Sequence, residues 1–208
     1  MSRRTLLVTG FEPFGGLGVN PSLEVAKALD GRAVGEAIVR SAVLPVHHAE
    51  AGPQVARLLE ETDPLAVVHV GLAGGRARIA LERVAVNVMD YDTPDNAGYR
   101  AHGEPCVPGG PPAYFATLPL DAILIALTAE GIPAYLSNTA GTYLCNQTMY
   151  TTLHALAQRR YPARAGFIHL PLLPSMVAAA GLEQPSMDLA SMVRAVELAL
   201  AVIVSSAT

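Results

Sequence analysis

Residues 65–70, Leu65-Ala66-Val67-Val68-His69-Val70, form a continuous run of apolar residues with a single histidine inside it. A strand that faces water on one side alternates polar and apolar positions. A run without alternation predicts a strand covered on both faces, as in a parallel sheet with helices above and below. Outward from this run, short β-branched stretches alternate with longer stretches of helical period, the pattern of βαβ units. Upstream, the reading is a strand at 5–9, a loop from Gly10 to Pro21, a helix capped by Ser22 and stopped at Asp30-Gly31, a strand at 36–44 and a helix at 48–61. Downstream, a loop at 71–75 leads to an extended segment at 79–88 and then to a Pro-, Gly-, Asp- and Asn-rich segment at 91–112. The latter reads as a long ordered loop with turns. A helix at 120–130, a strand at 132–137, a helix from Thr142 to Gln158 and a strand at 165–170 follow. The closing helix begins near an N-cap at Ser186, with Leu189, Val193, Val196, Leu200 and Ile203 as its core-facing stripe. The predicted fold class is α/β: one domain over 1–208, an open, twisted, mainly parallel sheet with helices on both faces.

Composition narrows the function. Of the 208 residues 51% are apolar and 15% charged, the net charge is −4, and there is one lysine, Lys27. Nucleic-acid binding needs clustered Lys and Arg, so no nucleic-acid partner is expected. Too few apolar residues precede Thr9 for a signal-peptide core, and the greasy stretch at 198–204 is too short to span a bilayer, so no membrane segment is expected. Two cysteines make a poor disulfide framework for a chain of this length, which favours a reducing, cytoplasmic compartment.

Cys145 lies in Ser-Asn-Thr-Ala-Gly-Thr-Tyr-Leu-Cys-Asn, where a strand passes through a turn into a helix. Free N–H groups and the partial positive charge of a helix start favour a thiolate below the usual Cys pKa of about 8.5, and the same N–H groups can hold an oxyanion. The alternative is a small buried hydrophobe. A thiol nucleophile needs an imidazole, and His169, near the end of Gly-Phe-Ile-His-Leu, sits where open α/β sheets bind ligands; it is either that base or a hydrogen-bonded core histidine. His69, inside the apolar run, reads as core. Glu82 interrupts the apolar series from Ile79 to Val88 and is either on a solvent face or paired at a site. The glycine-rich loop after the first strand lacks phosphate-loop spacing; its Phe11 and Phe14 either form a slot for a small flat ring or plug the end of the sheet. His47-His48 and His102 with Cys106 fall short of a metal-ligand set, so no metal is expected.

Together these segments resemble the pyrrolidone carboxyl peptidases, also called pyroglutamyl peptidases type I. Thr-Gly-Phe-Glu-Pro-Phe-Gly-Gly with Asn20-Pro21-Ser22, Gly-Leu-Ala-Gly-Gly-Arg with Glu-Arg-Val-Ala-Val-Asn, Pro94-Asp95-Asn96, Gly-Gly-Pro-Pro-Ala-Tyr, Thr-Ala-Gly-Thr-Tyr-Leu-Cys-Asn and Gly-Phe-Ile-His-Leu-Pro match that family's segments in order over 5–175. The resemblance implies Cys145 as nucleophile, His169 as general base and acid, and Glu82 as the group that orients His169. It implies an α/β sandwich related in topology to nucleoside phosphorylases, no cofactor, peptides with an N-terminal pyroglutamyl residue as substrates, and a homo-oligomer, tetramer or dimer. The lactam ring is expected against Phe11 and Phe14, with Tyr143 and Leu144 completing the pocket and Asn20, Val46 and Leu72 beside it. Three departures stand out: Leu72 where the family usually has Gln, Asp92 where it often has Arg, and Ser175-Met176 where it often has Glu-Gln. None falls on the three catalytic positions. The competing readings are a binding protein, or a hydrolase for another small acyl cap, and a nucleoside phosphorylase on topology alone.

Overall fold

The strand built from the apolar run, β4 (Ala66–Leu72), lies in the interior of a seven-stranded sheet and is buried along almost its whole length. The computed structural model describes residues 4–159 and 162–206. In chain order its elements are β1 (Arg4–Phe11), α1 (Pro21–Leu29), β2 (Ala33–Val34), β3 (Ala37–Leu44), α2 (Ala51–Thr62), β4, β5 (Ile79–Glu82), β6 (Val84–Val86), β7 (Met89–Asp90), β8 (His102–Glu104), β9 (Ala113–Phe115), α3 (Leu120–Ala129), β10 (Ala134–Ser137), α4 (Leu144–Arg159), β11 (Arg164–Leu170), α5 (Pro174–Ala180) and α6 (Leu189–Ser205). The sheet order is β10-β5-β11-β4-β1-β3-β2. Strands β11, β4, β1 and β3 run parallel, β10 and β5 run parallel to each other, and the direction reverses between β11 and β5 and between β3 and β2.

Each central strand sends alternate residues to opposite faces. Leu6, Val8, Val68, Val70, Ile168 and Leu170 pack under α1, α3 and α6, while Leu7, Phe11, Val67 and Phe167 pack under α2 and α4. Both faces are thus dry, which is why the run at 65–70 shows no alternation. The stripe on α6 behaves as its period requires, with Val196, Leu200 and Ile203 fully buried.

Several boundaries differ from expectation for physical reasons. The N-cap of α1 is Asn20, whose Oδ1 accepts from Ser22 N at 3.1 Å, because Pro21 takes the first helical position. Ser22 accepts the Phe11 amide at 3.0 Å instead, tying the helix to β1. The cap of α6 is Asp188, whose Oδ1 accepts from Ser191 N, while Ser186 bridges to Leu172. The extended segment at 79–88 breaks at Arg83: β5 stays in the main sheet beside β10, and β6 leaves it to pair with β9. Helix α5 was not anticipated; its signals are Pro174 at the start and Gly181 at φ 60° at the end. The long segment after β7 is ordered by Asp95. Its Oδ1 accepts from the Ala97 and Tyr99 amides, each at 2.9 Å, and its Oδ2 from the backbone and Nδ1 of His48. No helix among the described residues is long and apolar enough to cross a membrane.

His69 is fully buried, as the sequence suggests, and its ring is satisfied on both sides. Thr152 donates its hydroxyl proton to the Thr148 carbonyl at 2.8 Å, so it accepts from His69 Nε2 at 2.9 Å, and Thr9 donates to Nδ1 at 2.6 Å. Burial holds this imidazole at a pKa of about 3, against 6.5 in the unfolded chain. Between those values the unfolded chain binds a proton that the folded chain refuses, so stability is full above 6.5 and falls as the pH drops. From pH 7 to pH 5 we expect His69 alone to remove about 2 kcal/mol. Urea titrations at the two pH values check this: a His69→Gln variant should lose that much less than the wild type. Equal pH dependence would show that His69 is not held neutral.

Candidate active site

Three adjacent parallel strands, β1, β4 and β11, end at one edge of the sheet, and the first turn of α4 lies across it. Between them is a cavity of about 180 Å³. Phe11 ends β1, Leu72 ends β4 and His169 is the penultimate residue of β11, while Tyr143, Leu144 and Cys145 come from the start of α4. Phe14, Asn20 and Val46 line it too, so of the residues suggested from the sequence and the resemblance all but Glu82 line this one cavity.

Cys145 is the second residue of α4 and is partly exposed. It stands over Gly71 of β4. A Cβ on Gly71 would lie 3.0 Å from Cys145 Sγ and 2.6 Å from Phe167 Cζ, so the sulfur occupies a depression that only glycine leaves open. The loop reading of Gly71 is therefore corrected: it is a strand residue, register-paired with His169.

His169 and Glu82 meet by strand geometry. In the antiparallel pair, Phe167 faces Glu82 and His169 faces Ala80, so Glu82 and His169 are diagonal neighbours on the face that α4 covers. His169 Nδ1 lies 2.7 Å from Glu82 Oε1, with Glu82 fully buried and His169 only 4% exposed. An ionised carboxylate only accepts, so Nδ1 carries the proton and Nε2 is left with a free lone pair. Arg76 Nη1 donates to the same Oε1, also at 2.7 Å. Burial pushes the Glu82 carboxyl up, but the hydrogen bond and charge of His169, with help from the Arg76 hydrogen bond, outweigh it and hold it below the ordinary value. Burial lowers His169, against the pull of Glu82 and with the push of Arg76, so the imidazole is neutral at neutral pH.

The expectation of a depressed Cys145 pKa is overturned. Burial, followed by the charge of Glu82, drives the thiol up to about 12, and Arg76 and the Cys145 amide offset only part of this. The helix start is there, but burial and the Glu82 carboxylate weigh against a thiolate at this position. The site therefore rests as a neutral thiol beside a neutral imidazole.

The walls are aromatic and apolar. Phe11 is buried in the core, with its ring 6.3 Å from that of Phe167, and also lines the cavity. Phe14 stacks obliquely on Tyr143 at 5.8 Å between ring centres, and Tyr143 donates its hydroxyl to the Pro94 carbonyl at 3.2 Å. Asn20 lines the cavity with its amide already engaged, since Nδ2 donates to the Glu12 carbonyl and Oδ1 accepts from the backbone and hydroxyl of Ser22. Leu72 is apolar wall, whereas Asp92 is exposed on the long loop and Ser175-Met176 lie in α5. Sequence reasoning missed Ala73, Arg76 and Ala140. Arg76 had a usable signal, a cation in the loop just past the end of a central strand; the two alanines had none.

An α/β sandwich that presents a cysteine and an imidazole–carboxylate pair to one small cavity has the architecture of a cysteine hydrolase. Comparison with known proteins is more specific. The family model Peptidase_C15, described as pyroglutamyl peptidase, matches residues 4–206, and the chain belongs to this family. A pyrrolidone-carboxylate peptidase of Pyrococcus furiosus is 48% identical over 200 residues, covering 95% of this chain and 96% of its own. One from Klebsiella pneumoniae is 48% identical over 197 residues, covering 95% and 91%. A crystal structure of the pyrrolidone carboxyl peptidase of Pyrococcus furiosus superposes with a TM-score of 0.95 at 46% identity, covering 98% of this chain and 100% of that one.

Proposed function

We propose that this chain is a single-domain cysteine exopeptidase that removes an N-terminal pyroglutamyl residue from peptides, with Cys145 as nucleophile, His169 as proton carrier and Glu82 as the group that orients it. The observation that carries this reading is the convergence of Cys145 and the Glu82-bound His169 on one cavity walled by Phe11, Phe14, Tyr143 and Leu144. Its volume of about 180 Å³ suits one small ring, since a cavity of about 150 Å³ already accepts benzene. Membership of the family supports the same substrate. His169 Nε2 takes the thiol proton as Cys145 Sγ attacks the pyroglutamyl carbonyl, and N–H groups at the start of α4 hold the oxyanion. The C–N bond breaks, Nε2–H protonates the leaving amine, and water then hydrolyses the thioester by the same base. No cofactor enters this scheme. A cytoplasmic homo-oligomer, tetramer or dimer, goes with the reading, and light scattering of the purified protein measures it.

A fluorogenic pyroglutamyl amide tests the function, with the prolyl amide as control. Purified protein is expected to turn over the first, and the second slower by a factor of about 10³ or more, because the prolyl ring carries a protonated amine where the lactam is neutral, and a charge entering this largely apolar cavity is costly. No turnover at any pH from about 6 to 9 would instead favour a binding protein or a hydrolase for another acyl cap.

A further inference from the structure

Arg76 stands at this site with no part in the scheme above. Its side chain is 29% exposed at the cavity wall, and its Nη1 lies 2.7 Å from Glu82 Oε1. His169 Nδ1 meets that same oxygen at 2.7 Å, while Oε2 has no hydrogen-bond partner in good geometry and the Ser137 hydroxyl is turned to the Thr139 carbonyl. Among the described residues, those lining the cavity that can ionise are Arg76, Tyr143, Cys145 and His169, so Arg76 is the one permanent cation among them. A buried carboxylate is prone to two faults. Its terminal torsion is soft, and it tends to take up a proton. The first would break the Nδ1–H contact, and the second would turn the carboxyl from an acceptor of Nδ1–H into a donor, placing the imidazole proton on Nε2, where it blocks transfer from the thiol.

We propose that Arg76 is a positioning residue of the reaction: by sharing Oε1 with His169 it keeps Glu82 ionised and in place, and so keeps His169 Nε2 free to accept the Cys145 proton. This rests on the reading of His169 as proton carrier and Glu82 as its orienting group. The electrostatics agree in sign on both partners. Removing Arg76 makes the Glu82 carboxyl easier to protonate and His169 easier to charge, and both changes deplete the competent form from the acid side. Cys145, which Arg76 also favours as thiolate, becomes harder to ionise.

The test is the pH profile of kcat/KM for the pyroglutamyl amide. Arg76→Met is expected to lower kcat about tenfold with KM within about twofold, within the range for contacting residues, and to move the acid limb toward neutrality by roughly half a pH unit or more. Arg76→Lys, which keeps the charge without the planar fork, should restore the limb and part of the rate. In a Glu82→Ala background the same Arg76→Met change should cost less than about twofold, because its effect runs through the carboxylate. An unmoved acid limb, a loss confined to KM, or an equal loss in the Glu82→Ala background would each overturn the inference. If Glu82→Ala itself costs nothing, the reading of Glu82 fails first and takes this inference with it. Should Arg76→Met not fold, Arg76→Gln carries the same measurements.

Discussion

Replacing Cys145 with serine is expected to reduce hydrolysis of a pyroglutamyl amide by at least about four orders of magnitude, with the thermal midpoint nearly unchanged. The size of the loss follows from the dryness of the site. Even the thiol is pushed up to about 12 by burial and the Glu82 charge, and a serine hydroxyl starts several units higher still. The base that would take its proton is itself weakened, since burial lowers His169. Sulfur tolerates this setting because it is a strong nucleophile at a modest thiolate fraction; oxygen is not. Stability is spared because serine is slightly smaller, and the depression over Gly71 accepts it without a clash. Steady-state rates and a melting curve on the same preparation decide the matter. A serine variant that keeps more than about 1% of the rate would mean that the sulfur is not the nucleophile.

The high resting value of the thiol also says how the site is switched. A pre-formed thiolate–imidazolium pair would leave a permanently reactive sulfur; under the proposed function a resting neutral thiol would instead give up its proton only once substrate is bound and an oxyanion forms at the helix start. The N–H groups of the helix start would then serve the oxyanion, the second of the two roles the sequence offered them.

Legibility in the sequence tracks how local each determinant is. The strand at Ala66–Leu72 was readable because both its faces are dry, so six residues carry the message alone. Cys145 was readable because the turn and the helix start surround it in sequence. The caps were misplaced by two residues where competitors lay close together: Asn20 and Ser22 both cap helices well, and the choice fell to Pro21 between them. The break at Arg83 was hidden, since Ile79 to Val88 reads as one extended segment and only the end of β10 at Ser137 ends the pairing. Glu82 was left between a solvent face and a site because the four residues of β5 do not reveal that β11 lies beside them in reverse direction. Arg76 was missed for a related reason, as its partner is a strand residue whose burial is a property of the whole sheet. The thiol pKa went wrong because the helix end is a local feature and desolvation is not.

His169→Ala is expected to cost about 10³-fold in kcat/KM, and Glu82→Gln only about ten- to a hundredfold. Under the proposed function the first loss removes the group that carries the proton in both directions, and among the described residues no other imidazole lines the cavity to replace it. The second is smaller because of the geometry around Oε1. A carboxamide could spoil the site by turning its NH2 toward Nδ1 and forcing the imidazole proton onto Nε2. In serine proteases the corresponding Asp→Asn change costs about 10⁴ for that reason. Here two donors, Arg76 Nη1 and His169 Nδ1–H, converge on the same oxygen at 2.7 Å. An amide that turned its nitrogen there would face the guanidinium with a second donor, so the carbonyl oxygen is held in the Oε1 position and the tautomer survives. What is lost is the negative charge that steadies the imidazolium during transfer. Rates of the two variants at the pH optimum of each, with far-ultraviolet circular dichroism to confirm the fold, measure the difference. A wild-type rate in Glu82→Gln would remove Glu82 from the reaction, and a loss equal to that of His169→Ala would mean that the amide turns and Arg76 does not hold it.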